Sequence, residues 1–206
     1  MTGGDVRQWT PAGWCVLFSC DVISYGDARR TDEVQEFLRE GMYRALEASF
    51  THVGIPFGDL YLEDRGDGVI SAVPAEHDPA LLVTAVFDGM KVRVKRRNRL
   101  ASEVAQMRLR AAVHLGVARY DGRGLVGTDV NHLCRLLDAP AFKDAIRDSD
   151  APVALIASER FYDDVIRKDI GVIDVEEYHR LHVSFKETSC PAWIRIPPTT
   201  SIPTPP

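Results

Sequence analysis

Long apolar runs are missing from this sequence, and without a stretch of about 18 apolar residues no helix is expected to cross a bilayer. The first residues, Met1 to Gln8, lack the basic-then-apolar order of a secretory leader, so a cytoplasmic protein with no membrane partner is the expectation. Cysteine is scarce and scattered: Cys15, Cys20, Cys134 and Cys190 form no CxxC pair and match no histidine spacing. That spacing suggests neither a zinc site nor a disulfide framework and favours buried free thiols. A surplus of positive charge is absent too. With 25 Lys and Arg against 30 Asp and Glu, the formal net charge is −5, so the surface as a whole is not built to neutralise phosphate backbones and no nucleic-acid partner is expected.

What is present is enough for a core. The 206 residues are 45% hydrophobic, which allows one large domain or two small ones. No Gly/Ser linker, repeat or shift in composition divides them, so the expectation is a single domain over 14–196, with an arm at 1–13 and a disordered Pro/Thr tail at 197–206.

The run Trp14 to Ile23 is a continuous apolar strand interrupted late by Asp21, an acid that packing alone would not choose. Thr31 with Asp32 and Glu33 starts a helix whose apolar residues Val34, Phe37, Leu38, Met42, Ala45 and Leu46 recur at helical spacing to about Phe50. Leu60 to Val73 reads as two short strands around Arg65-Gly66-Asp67-Gly68, which places Asp67 at a hairpin tip. A helix follows from about Ala80 to Arg99 and ends in the basic cluster Lys91 to Arg99, best read as a solvated face. Met107 to Val117 alternates as a strand, with Arg108, Arg110 and His114 on its second face. Thr128 is placed to cap a helix running to about Asp138, where Pro140 discourages continuation. Strand 152–157, helix 158–168 and strands near 172–175, 179–186 and 192–196 complete the reading. Helices layered on one sheet make this an α+β chain.

Four features fall in order along these elements: Asp21 in a buried strand, Asp67 at a Gly-flanked tip, Asn131 and Arg135 one turn apart on a helix, and Lys186 late in the chain. Each alone also suits a plain structural role, as a hydrogen-bonded core acid, a turn residue or a solvated helix face. The segments that carry them, LFSCDVISY, RGDGVISAV, VGTDVNHLCRL and FKETSCPAWI, together resemble the class III nucleotidyl cyclase catalytic domain over roughly residues 14 to 195.

That resemblance implies a ferredoxin-like βαββαβ core with added C-terminal strands and helix. It also implies two divalent metal ions, Mg²⁺ or Mn²⁺, held by Asp21, Val22 and Asp67, with Asn131 and Arg135 catalytic and Lys186 on the triphosphate. Carboxylate oxygens suit such hard cations, and a planar guanidinium suits charge developing on phosphorus. The substrate implied is a nucleoside triphosphate, converted to a 3′,5′-cyclic nucleotide messenger and pyrophosphate. A head-to-tail homodimer is implied as well, in which Asp21 and Asp67 come from one protomer and Asn131 and Arg135 from the other.

In such domains the base is read four positions before the second aspartate and seven before the asparagine, here Glu63 and Gly124. An ionised Glu63 only accepts hydrogen bonds, which suits guanine or a pyrimidine better than the N1 acceptor of adenine. The nonstandard pair also resembles the pyrimidine cyclases of anti-phage signalling. Two other readings stand beside this one. A catalytically silent cyclase-like module that binds a nucleotide or a protein is the first. The second is a dinucleotide site at Gly122-Arg-Gly-Leu-Val-Gly127, which the short helix after it and the absence of a repeated βαβ pattern oppose.

Overall fold

The computed structural model describes residues 9–168 and 172–198. Residues 1–8 of the expected arm and 199–206 of the expected tail lie outside the described residues.

Strand β1, Ala12–Val22, is central and buried on both faces, which is why its sequence reads as an unbroken apolar run. Val16, Phe18, Cys20 and Val22 join one core, Cys15 and Leu17 the other, and Ser19 and Asp21 continue the second face. Helix α1, Asp32–His52, begins with Thr31 in an extended conformation and two acids in the first turn, which complement the helix dipole. Its buried Leu38, Met42, Ala45, Leu46 and Phe50 cover the first core, where Phe50 meets Phe18 edge-on at 5.9 Å.

Strands β2, Tyr61–Asp64, and β3, Gly68–Pro74, form the expected hairpin. Helical chain from Ala80 passes through a π-type stretch at Leu82–Val86 into α2, Phe87–Asn98, beside α1. Strand β4, Leu109–Tyr120, follows, and β5, Leu125–Val126, folds back on it. Helices α3, Thr128–Asp138, and α4, Pro140–Ala145, cross the opposite face to β6, Val153–Ser158, which lies parallel to β4. After α5, Glu159–Phe161, and a further π-type turn at Tyr162–Ile166, hairpin strands β7, His179–Phe185, and β8, Thr188–Arg195, finish the sheet.

The strand order is β2-β3-β1-β4-β6-β8-β7. Its first four strands are antiparallel, with α1 and α2 on one face, which is the ferredoxin-like core. The parallel step from β4 to β6 needs a crossover, and α3 with α4 supplies it on the other face. The Gly122–Gly127 segment is the β4–β5 turn and the entry to α3, and this sheet order is not that of a dinucleotide fold.

Several expectations are corrected. No strand forms at 172–175; Asp174 instead accepts the Glu176 N–H at 3.0 Å and starts a tight helical turn at Val175–Glu177. Gly127, not Thr128, sits at the N-cap of α3, and Thr128 is its first residue. Pro140 ends α3 as expected but also opens α4, because a first helical position needs no N–H from it. Lys186 is not a strand residue: it occupies the β7–β8 turn with φ 52°. Cys15 and Cys20 are buried free thiols, whereas Cys134 and Cys190 are only half-buried. Among the described residues no helix is long and apolar enough to cross a membrane.

Candidate active site

Asp21 lies near the end of β1, 8% exposed, and its register partners are Gly68 on β3 and Arg110 on β4. A Cβ at Gly68 would come within 2.5 Å of the Cys20 carbonyl and 2.8 Å of the Asp21 Cβ. Only glycine lets the hairpin close here, and the closure carries Asp67 to the end of β1, where its carbonyl accepts the Val22 N–H at 2.9 Å. Burial pushes the Asp21 carboxyl up. The Arg110 guanidinium pulls it down, and the negative charges of Asp67 and Asp138 raise it further. Arg110 grips both Asp21 oxygens, with Nε 2.8 Å from Oδ1 and Nη2 on Oδ2.

The donors at this end are all oxygen: the two carboxylates and the Val22 carbonyl, which also accepts the Tyr25 N–H at 3.3 Å. Among the described residues no three metal-ligating side chains gather. Two carboxylates and a carbonyl are the kind of oxygen donor set that Mg²⁺ favours, and a dication there would offset the Asp67 and Asp138 charges that add to burial in lifting the Asp21 carboxyl. The residues therefore fit the group.

Next to Asp21 is a cavity of about 390 Å³ lined by Ile23, Ser24, Arg108, Arg110, Lys143, Ile146 and Arg147. Four of the seven are cations, of which Arg110, Lys143 and Arg147 pair with Asp21, Asp138 and Asp144. Arg108 is braced by the Ala151 and Ile146 carbonyls at 3.3 and 2.9 Å. The β1–α1 turn, where Ser24 has φ 56°, is held by Arg30 through the Ile23, Ser24, Val104 and Gln106 carbonyls. Sequence reasoning missed this group. Its one signal is a pair of arginines two residues apart, Arg108 just before the core strand β4 and Arg110 within it.

Glu63 and Gly124 meet. The Glu63 Oε2 accepts the Leu125 N–H at 2.8 Å, and Oε1 pairs with Arg65 at 2.5 Å. A Cβ on Gly124 would stand 2.9 Å from Glu63 Oε2, so the carboxylate occupies the space a side chain at 124 would need. Arg65 and Glu63 also act on the Cys134 thiol of α3, which burial pushes up and Arg65 pulls down.

On α3, Val130, Leu133, Leu136 and Leu137 are buried while Asn131 is exposed. Arg135 pairs with Glu187 in the β7–β8 turn and bonds Thr188 Oγ1 at 3.4 Å. Lys186 in the same turn is exposed, its Nζ 5.2 Å from the Phe185 ring. Asp129 anchors the start of the helix: Oδ2 accepts the Val117 N–H at 2.7 Å, and Oδ1 lies 3.2 Å from His114 Nε2. Among the described residues no hydrogen bond or ion pair joins Asp21 and Asp67 to Asn131, Arg135 or Lys186. α3 is nonetheless close enough to the β1 end and to the β2–β3 hairpin that Asp138 acts on the Asp21 carboxyl and Arg65 and Glu63 act on the Cys134 thiol.

The sequence matches no protein-family model and no curated protein, but the architecture matches solved structures. An adenylate/guanylate cyclase/hydrolase from Silicibacter pomeroyi superposes with TM-score 0.61 at 16% identity, covering 89% of this chain and 96% of that one. The guanylate cyclase domain of RhGC from Catenaria anguillulae, solved with GTP, gives 0.54 at 13% identity over 89% and 97%. A rhodopsin-guanylyl cyclase catalytic core with converted specificity, solved with ATPαS, gives 0.57 at 13% over 88% and 94%. The chain has the fold of adenylate and guanylate cyclase catalytic domains. In this cyclase fold the β1 end and the β2–β3 tip share one sheet, and α3 packs on a face of that sheet.

Proposed function

We propose that this cyclase-fold chain is a metal-dependent nucleotidyl cyclase that converts a nucleoside triphosphate to a 3′,5′-cyclic nucleotide and pyrophosphate. The observation that carries the reading is the closure of Gly68 on Asp21. It pairs Asp21 with Asp67 directly beside a cavity lined by four cations.

The substrate's β- and γ-phosphates fit that cavity, where Arg108, Arg110, Lys143 and Arg147 offer charge-assisted hydrogen bonds. Asp21, Asp67 and Val22 would hold two Mg²⁺ or Mn²⁺ ions, which when bound lower the pKa of the 3′-hydroxyl and neutralise phosphate charge. The 3′-oxygen forms a bond to the α-phosphorus as the bond to the bridging oxygen breaks. Pyrophosphate leaves with that electron pair, and the hydroxyl proton passes to solvent. A partner's α3 and β7–β8 turn complete the site: Arg135 meets charge on the α-phosphate oxygens, Asn131 orients the ribose and Lys186 reaches the phosphates. Glu63, fixed by the Leu125 N–H, presents acceptors to the base, which favours GTP or a pyrimidine nucleotide over ATP.

Arg135 is paired with Glu187 and not with Asp21 or Asp67 of its own chain, which supports a homodimer in which a partner's Arg135 completes each site. A second reading, a silent nucleotide-binding module, is favoured by two observations: Arg110 engages both Asp21 oxygens, and Glu187 engages Arg135. Incubating the protein with ATP, GTP, CTP and UTP separately, with Mn²⁺, and analysing products by mass decides between them. A cyclic product from GTP or a pyrimidine nucleotide supports the enzyme, and none from any of the four supports the silent module.

A further inference from the structure

The tip that carries Asp67 is exposed and short, and a two-stranded tip has little stability of its own. Within it, the Arg65 N–H bonds the Gly68 carbonyl at 2.9 Å and the Asp67 N–H the Arg65 carbonyl at 3.2 Å. A second set of bonds reaches it from α1. Arg39 donates to both Asp64 oxygens, with Nη1 2.9 Å from Oδ1 and Nη2 on Oδ2, and the same Nη1 lies 2.6 Å from the Gly66 carbonyl. The Tyr43 hydroxyl donates to Asp64 Oδ2 at 2.5 Å, and Asp64 Oδ1 accepts the Gly66 N–H at 2.8 Å. Five hydrogen bonds therefore converge on residues 64–66, immediately before Asp67.

We infer that Arg39, together with Tyr43 and Asp64, is a clamp that positions the Asp67 carboxylate for metal binding. This rests on the reading of Asp67 as a metal-binding residue. Arg39 and Tyr43 are one turn apart on α1, and the guanidinium carbon lies 5.2 Å from the Tyr43 ring centroid, so the two groups hold each other in place. The helix beneath them is seated by Leu38, Met42 and Leu46, which transmits the rigidity of the core to an exposed tip. The clamp has a second effect. Asp64 is a further carboxylate three residues from Asp67, and its pairing with Arg39 neutralises a charge that would otherwise compete for the same cation.

Two measurements on the full chain without nucleotide test the clamp: amide hydrogen exchange at residues 64–68, and Mn²⁺ binding followed by electron paramagnetic resonance. Arg39→Met is expected to speed exchange at Gly66 and Asp67 and to weaken Mn²⁺ binding by about tenfold. Arg39→Lys keeps the charge but cannot bridge both Asp64 oxygens and the Gly66 carbonyl, so it should fall between. Tyr43→Phe removes a single bond without emptying volume and should shift both readouts in the same direction by less. Faster exchange with unchanged Mn²⁺ affinity overturns the inference, as does no change in either. Asp67→Asn is the separate control. If it leaves Mn²⁺ binding intact, the metal reading of Asp67 fails, whereas weakened binding there with unchanged binding in Arg39→Met condemns the clamp alone.

Discussion

The Glu63 carboxylate and the Leu125 amide are joined at 2.8 Å across 62 residues of chain, which ties β2 to the strand leaving the β4–β5 turn. The bond fixes the acceptor proposed to read the base, and Gly124 beside it leaves the carboxylate its space.

Gly124→Ala places a methyl 2.9 Å from Glu63 Oε2, so the carboxylate must move. Kinetics with each nucleotide should show KM for the preferred one rising about tenfold or more, as also in Glu63→Gln, with a smaller change in kcat. Equal loss for all four bases would remove Glu63 from base reading.

Asp21→Asn and Arg135→Ala should each lose activity by about a hundredfold or more, since each removes charge used at the transition state. Mixed in equal amounts, half of the dimers are heterodimers and half of their sites are intact, so about a quarter of wild-type activity should return. Heterodimers that form without recovery would sink the shared-site arrangement.

Lys143 and Arg147 sit at the exposed rim of the cationic cavity, paired with Asp138 and Asp144. The double alanine variant should keep its melting temperature and raise the inhibition constant of pyrophosphate by about thirtyfold, since each of the two lost charge-assisted contacts costs about 1 kcal/mol. Unchanged pyrophosphate inhibition would place the phosphates elsewhere.

His114 is 4% exposed, its Nδ1 is 2.7 Å from Ser158 Oγ, and His132 packs against its ring at 4.9 Å. Burial, the chief cause, with His132 and Arg160 adding to it, outweighs Asp129 and takes its pKa down to about 4. The unfolded chain, with a value of about 6.5, binds the proton more tightly, so the stability held above that pH falls as pH drops towards 4, by on the order of 3 kcal/mol. Urea unfolding between pH 4 and 7.5 should show this slope in the wild type and a flatter one in His114→Gln.

Much of the fold was legible from local pattern. The apolar run of β1, the helical spacing of α1 and the alternation of β4 report burial periodicity, which adjacent residues decide among themselves. Where the reading failed, local chemistry had two outcomes. Pro140 both stops one helix and starts another, and Asp174 turns an apolar stretch into a capped turn because its side chain outcompetes a ladder partner. The alternation of Leu181, Val183 and Phe185 predicts a strand through Lys186, and only the β8 pairing shows that the chain reverses there.

By itself, the sequence determined which residues are polar where packing asked for apolar ones: Asp21 in a core strand, Asp67 between glycines, Asn131 and Arg135 on the exposed side of an apolar helix. Only the tertiary structure decided what each of them faces. Sheet order set Arg110 against Asp21, and Gly68 allowed the hairpin to close, because strand neighbours are chosen by long-range pairing that no short window of sequence contains. The cationic cavity, the Glu63–Leu125 bond and the Arg39 clamp all bring together residues far apart in the chain, and so they exist only once the sheet has formed.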